Sequence, residues 1–288
     1  MEQRSTLHQF VSRHPVTIFI ALTLGFQLTI VLLAYGLMPM GSTLHEYPQA
    51  HMVFRLRVFG PLAFAMVLTY FLEGRHGLVK LFSAFAKWRV PAPWYALAFS
   101  WKFIVTYIGL AFLAISGMRA WPGAITEDFL PQLLKNMPFI VGIAVVEETA
   151  WMKFSVLRLN ERYTALRSSI IIGLCWGFWY LPMLILGEGV PDGIPWPVFL
   201  VSMFSLTVML SWAYNETHSG LVLLIMQILS NCAFIMVPVL PGWHNLDPAY
   251  VVGFVCVFFL ASLCILWYAG PKELNSKGLR ARWSDTNA

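Results

Sequence analysis

Long apolar runs constrain this chain more than anything else in it. Eight can be drawn, near residues 15–38, 57–73, 93–117, 136–157, 168–186, 195–214, 219–238 and 249–269. A helix needs about 20 residues to cross the hydrocarbon of a bilayer. The second and fifth runs are short for this, so tilt or partial re-entry is expected there. Lipid offers no partners to backbone N–H and C=O groups, so each segment must satisfy its own, which selects helices over strands. The charge content agrees: 11% of the 288 residues are Asp, Glu, Lys or Arg, against about 25% in a typical soluble domain. The expected fold is an all-α, polytopic membrane bundle of about eight transmembrane helices. The run that begins near Pro15 is too long for a signal peptide and no small-residue cleavage site follows it, so it is expected to be a retained span.

The basic residues predict orientation. Arg4 and Arg13 precede the first run, and Arg75, Lys80, Lys87 and Arg89 lie between the second and third. Lys153, Arg158, Arg162 and Arg167 lie around the junction of the fourth and fifth, and Lys272, Lys277, Arg280 and Arg282 form the tail. With eight crossings all of these fall on one side, the cytoplasmic one by the positive-inside rule, and both termini share it. Arg55, Arg57, Arg119 and Lys135 fall on the other side, with Glu127, Asp128, Glu188, Asp192 and Asp247. The net charge of +5 is dispersed between apolar runs, which argues against a nucleic-acid partner. The tail charges read first as positive-inside residues, beside a role in meeting anionic lipid.

Between Gly74 and Pro93, Leu78, Leu81, Phe82, Phe85 and Trp88 recur at helical spacing with Lys80 and Lys87 elsewhere, which predicts an amphipathic interfacial segment. "GEGVPDGIPWP" at 187–197 and "PVLPGWHNLDP" at 238–248 mark turns. No repeat and no second soluble domain is apparent. The four cysteines, Cys175, Cys232, Cys256 and Cys264, fall within apolar runs without a CxxC pair, which excludes a disulfide scaffold or thiolate zinc site as an expectation.

Against this background "VVEETAWMKF", residues 145–154, places two adjacent carboxylates, Glu147 and Glu148, in an apolar run. An ionised carboxylate there costs at least ~2.5–3.5 kcal/mol. Two side by side also repel, so one keeps its proton or a cation lies between them. Consecutive helical residues point about 100° apart, so the pair can line one cavity from two angles. One reading makes them a metal ligand and a general base, or two ligands. The other has one acid hydrogen-bonded across helices and its neighbour reaching the interface near Lys153. Two more segments carry matching polar groups. Trp176 and Tyr180 share a helix face, as do Gln227 and Asn231, with Ser230 beside them. These groups can close a polar network with the glutamates, or serve only packing and helix–helix adhesion. His51, His218 and His244 read as loop or interfacial residues; His218 lies nine residues before Gln227, about 13.5 Å along a helix.

The stretch "EETAWMKFSVLRLNERYTALRSSIIIGLCWGFWYLP", residues 147–182, together with Gln227 and Asn231, resembles the CPBP family, the CAAX-protease and bacteriocin-processing (Abi-like) intramembrane metalloproteases. That family's first motif is Glu-Glu-x-x-x-Arg with an aromatic before the Arg. Glu147, Glu148 and Trp151 fit it, and Met152 stands in the Arg position. The second is an aromatic, three residues and a His; Trp176 fits and Tyr180 replaces the His. The third is His-x-x-x-Asn; Asn231 fits and Gln227 replaces the His. "WRVPAPWY", residues 88–95, resembles the stretch that often precedes the core. The resemblance implies a division into N-terminal transmembrane helices (1–73), an intramembrane core (74–238) and a final helix with a basic cytoplasmic tail (239–288). It also implies a bacterial inner membrane.

In active members the glutamates and both histidines are taken to hold a metal and a water inside the membrane. Zinc sites use three or four strong ligands. A neutral Tyr hydroxyl and a Gln amide are poor replacements, and Met152 removes a cation that could fix an acid bidentately. Three functions follow. The first expectation is a catalytically degenerate member whose polar cavity, lined by Trp151, Met152, Trp176, Tyr180, Gln227, Ser230 and Asn231, binds a peptide, lipid or membrane partner without a cofactor. The alternative is an active endopeptidase using zinc or another divalent metal, with Glu147 as general base and Glu148 as metal ligand. The third is an ion- or proton-coupled transporter, though no inverted pair of interrupted spans is present.

Overall fold

The computed structural model describes residues 6–39, 41–42, 44–186, 194–238 and 247–286. Most of the two predicted turn loops, with Glu188, Asp192 and His244, lies outside the described residues. Among the described residues the chain is all-α, with no strand. In order come α1 (Thr6–Arg13), α2 (Pro15–Gly36), α3 (Pro48–Arg55), α4 (Gly60–Ser83), α5 (Ala92–Ile115) and α6 (Phe129–Glu147). A π-helical stretch (Glu148–Val156) and the single turn α7 (Leu157–Leu159) continue α6. Then follow α8 (Ala165–Leu186), α9 (Trp196–Thr217), α10 (Gly220–Met236) and α11 (Pro248–Ala269). Proline stands in the first turn of α2, α3, α4, α5, α9 and α11, where its fixed φ suits a helix start and its missing N–H costs nothing.

Among the described residues seven helical stretches are long and apolar enough to cross a membrane: Pro15–Gly36, Pro48–Ala86, Ala92–Ile115, Phe129–Leu159, Ala165–Leu186, Trp196–Thr217 and Pro248–Ala269. The remaining predicted run, 219–238, is α10, a helix of 17 residues, about 25 Å long against a hydrocarbon thickness of about 30 Å. Ser219 fixes its start by accepting from the Val222 amide at 3.3 Å, and its last residue is followed by extended Val237. It packs against α5, α6 and α9.

The stretch read as an interfacial segment is continuous with α4, across a kink at Gly74 where φ is 62°. Trp88 is exposed there. Lys80, assigned to the polar side, instead turns inward, 4.0 Å from the Glu73 carboxylate and 4.8 Å from the Trp283 ring. The reason is non-local: the last residues of the chain supply an aromatic partner that helical periodicity within 74–93 cannot reveal.

Helices approach closely where glycine permits. α8 lies on α9 through Gly173, where a Cβ would stand 2.6 Å from Thr207 Oγ1 and 3.1 Å from the Met203 carbonyl. α11 lies on α5 through Gly109, where a Cβ would stand 3.1 Å from the Phe254 amide nitrogen. Small residues at such crossings let dispersion replace the hydrophobic effect that lipid does not supply.

The tail after α11 packs against the bundle. Ala165 and Leu166 amides donate to the Lys272 and Pro271 carbonyls, the Asn160 amide to the Ala281 carbonyl, and the Ala281 N–H to Asn215 Oδ1. Leu274, Ala281 and Trp283 are buried. The tail therefore straps the end of α7, the start of α8 and the end of α9. The four cysteines are unpaired thiols.

Candidate functional site

Glu147 closes α6 and Glu148 opens the π-helical stretch. In that stretch the Leu157 N–H donates to the Met152 carbonyl and Ser155 Oγ to the Ala150 carbonyl, each five residues back. π-helical turns are rare and frequent at functional sites. Every residue from Val146 to Val156 is buried, and both glutamates have no exposed surface. Lys153 is equally enclosed and donates to Tyr214 Oη at 2.6 Å. The reading in which one acid reaches the interface near Lys153 is therefore excluded, since neither group reaches the surface.

Two side chains meet Glu147. Tyr180 Oη donates to Oε1, and Gln227 Nε2 donates to Oε2 at 2.6 Å. Both carboxylate oxygens thus have a donor, one from α8 and one from α10. The Trp176 indole lies beside the same carboxylate, outside hydrogen-bond geometry. Glu148 differs. Both of its oxygens are buried and have no hydrogen-bond partner among the described residues, as do Gln227 Oε1 and Asn231 Nδ2. The structure brings Glu147, Tyr180 and Gln227 together. No hydrogen bond joins Ser230 or Asn231 to either glutamate among the described residues, though Ser230 is buried one turn from Gln227.

The wall is aromatic. Trp151 stacks on Trp176 with centroids 5.8 Å apart, meets Trp179 edge-on at 6.2 Å, and packs on Phe19 at 5.3 Å. Trp179 meets Tyr180 at 5.1 Å. Met152 is buried in the same cluster.

Arg57 completes the site. At the start of the second apolar run it reads as a charge on the outer side, yet it is 2% exposed. The 3-10 turn Leu56–Phe59, between α3 and α4, turns its side chain inward. Its guanidinium lies over the rings of Phe54 at 4.8 Å and Trp179 at 4.5 Å, and donates to Gln27 Oε1 at 3.3 Å and to the Met183 sulfur. Gln27 in turn donates to the Trp179 carbonyl. The Arg57 charge acts on both Glu147 and Tyr180. A cation therefore acts on Glu147 although Met152 holds the motif's Arg position. A glutamine in the middle of the first apolar run, Gln27, was the available sequence signal.

The donor set can be compared with what a divalent ion needs. Strong ligands here are the two carboxylates, one of them engaged on both oxygens. No group of three or more His, Cys, Asp or Glu side chains converges among the described residues. His51 lies on α3 and accepts from Arg55 at 3.2 Å, and His218 ends α9 in a left-handed conformation. This set does not fit a tetrahedral zinc site, which needs three or four strong ligands.

Comparison with known proteins places the site within a matched region. The family model described as Type II CAAX prenyl endopeptidase Rce1-like matches residues 129–233, which include Glu147, Glu148, Trp151, Met152, Trp176, Tyr180, Gln227, Ser230 and Asn231. The CAAX prenyl protease 2 of Methanococcus maripaludis is 22% identical over 109 residues. That alignment covers 35% of this chain and 38% of the relative, so little more than a third of the relative's length is spanned.

Proposed function

We propose that the chain, whose residues 129–233 match the Rce1-like CAAX prenyl endopeptidase model, is a member of that family, related to the Abi and CPBP proteins, without peptidase chemistry. Its intramembrane polar centre holds a peptide, lipid or partner segment rather than hydrolysing one. One observation carries this reading: Tyr180 and Gln227, which stand where the family's histidines would, both spend their donors on Glu147. A general base needs an oxygen within reach of a water or substrate proton. Here each Glu147 oxygen accepts from a neutral side chain, an arrangement that holds the carboxylate rather than arming it. Glu148, with both oxygens unpartnered in the interior, Asn231 and Gln227 Oε1 are the groups left to meet a ligand.

The unpartnered Glu148 also favours a second reading, in which a cation binds there and Glu147 activates water after Tyr180 moves aside. Purified protein distinguishes the two when offered a prenylated peptide and metal. Under our reading no cleavage is seen with added zinc or cobalt, and Tyr180→His with Gln227→His gains metal. Cleavage by the parent that is lost in Glu147→Gln and on chelation contradicts it. The reading also includes a bacterial inner membrane with both termini cytoplasmic, which reporter fusions at each terminus test.

A further inference from the structure

We infer that the face covered by the tail after α11 contains a binding site for a phosphate-bearing anion, formed by Lys80, Lys153 and Arg158 with Lys87 and His218 at its mouth. The site is separate from the glutamate centre and does not rest on the function proposed above.

The observation behind it is an imbalance of buried charge. Lys153 has no exposed surface and Lys80 and Arg158 are nearly as enclosed. The charges of Lys80 and Arg158, both cations, act on Lys153, and its hydrogen bond goes to a neutral phenol, Tyr214. One close carboxylate serves the cluster, and it is shared. Glu73 Oε1 accepts from Arg158 Nη2 at 2.9 Å and from Trp283 Nε1 at 2.6 Å, while Oε2 lies 4.0 Å from Lys80 Nζ. Glu161 adds a more distant charge to Arg158, with Oε1 already accepting from the Ser284 amide. Arg158 Nη1 is buried and has no partner among the described residues. Aromatic faces cover the rest of the guanidinium, Trp283 at 3.5 Å and Phe154 at 4.4 Å.

Buried cations in excess over carboxylates are costly unless something anionic joins them or a lysine gives up its proton; an anion bound here keeps all three charged. The cluster continues outward to exposed Lys87 and His218. Burial, then Lys87 and Lys153, holds the His218 imidazole below its ordinary range, opposed by Asp285. Phosphate suits this set better than a carboxylate or halide. It offers several charged oxygens to a guanidinium fork and two ammonium groups at once. The cluster also lies at the helix ends, the level of lipid headgroups. The phosphoryl group comes from a membrane lipid or from a soluble phosphate compound.

The test uses the full chain, delipidated in neutral detergent, with thermal unfolding followed against added ligand. Inorganic phosphate and dihexanoylphosphatidylglycerol are each titrated, with sodium chloride at matched ionic strength as reference. We expect a saturable upward shift with at least one of the two. Response to the lipid alone assigns a headgroup, to phosphate alone a soluble compound, and to both the phosphoryl group itself. Lys153→Met weakens the apparent affinity at least tenfold, Lys80→Met does the same if Lys153→Met does not fold, and Arg89→Gln, an exposed control, leaves it unchanged. A shift no larger than sodium chloride gives, or one that survives unaltered in the Lys153 or Lys80 variant, overturns the proposal.

Discussion

Replacing Trp283 tests how the tail is held. The indole donates from Nε1 to Glu73, lies 3.5 Å from the Arg158 guanidinium and 4.8 Å from Lys80, and its backbone N–H donates to the Leu157 carbonyl at 3.1 Å. A hydrogen bond to a charged acceptor contributes about 1.5–3 kcal/mol. A desolvated cation–π contact adds up to about 2 kcal/mol. Trp→Ala changes in packed sites cost about 3–5 kcal/mol, a range these contributions fill. Taking about 4 kcal/mol, and a factor of ten for each 1.4 kcal/mol, Trp283→Ala raises the open population of the tail roughly 700-fold. Hydrogen exchange reads this directly at the Ala281 and Trp283 amides, which are bonded to Asn215 and Leu157. Trp283→Phe keeps a ring over Arg158 and loses the Glu73 bond, so about a 10- to 150-fold increase is expected from that bond alone. The Ala165 amide, held by Lys272, changes less than Ala281 in both variants. Exchange at Ala281 within threefold of the parent in Trp283→Ala would refute the reasoning, because the strap would then be held elsewhere.

Three further outcomes follow. Tyr180→Phe and Gln227→Leu each remove one donor from a buried carboxylate and should lower stability by about 1–3 kcal/mol; a double-mutant cycle by thermal unfolding should show non-additivity of at least about 0.5 kcal/mol, and strict additivity would deny a shared acceptor. Gly173→Val should destabilise by about 1–3 kcal/mol or more through overpacking against Thr207 and Met203, while Gly142→Ala, with open space around it, gains up to about 1 kcal/mol of helix propensity; equal effects in the same unfolding assay count against the α8–α9 packing described. Asp247 is held below the usual carboxylate range by its hydrogen bond to Arg119, then by the Ala249 amide. Its contribution is present above the unfolded pKa near 3.8 and is lost as pH falls through the lower folded value, so exchange at the Ala249 amide accelerates on acidification below pH 4. Asp247→Asn abolishes that dependence, and a pH profile unchanged in the variant would contradict it.

The legible parts of this molecule were those written in local spacing. Apolar run length gave the membrane helices, because the lipid constraint acts on each segment separately. α10 came out short since Ser219 and Val237 bound it at 17 residues, a limit that hydropathy alone blurs. Glu147, Tyr180 and Gln227 could be nominated because a polar group in an apolar helix needs a partner, and helical spacing limits where partners lie. The pairing itself needed the fold: Asn231 matched its motif, yet Gln227 reaches Glu147 and the Asn231 amide donor stays unpartnered.

Non-local contacts hid the rest. Arg57 follows a short helix in a region that reads as a loop, and only the 3-10 turn carries it between Phe54 and Trp179. Lys153 and Arg158 counted as orientation charges, yet both are buried, because Tyr214, Glu73 and Trp283 arrive from distant segments. The tail looked like four dispersed charges. Its packing depends on Leu274, Ala281 and Trp283, spaced too irregularly for a helix or strand pattern to show.

The central claim is that Glu147 is engaged by Tyr180 and Gln227 instead of serving a metal. Its most direct test is metal content by mass spectrometry on detergent-purified protein, run for the parent, for Glu147→Gln with Glu148→Gln, and for Tyr180→His with Gln227→His. The account predicts a parent without stoichiometric zinc or cobalt and metal gained in the two-histidine variant. Near-stoichiometric metal in the parent, lost with the glutamates, would contradict it.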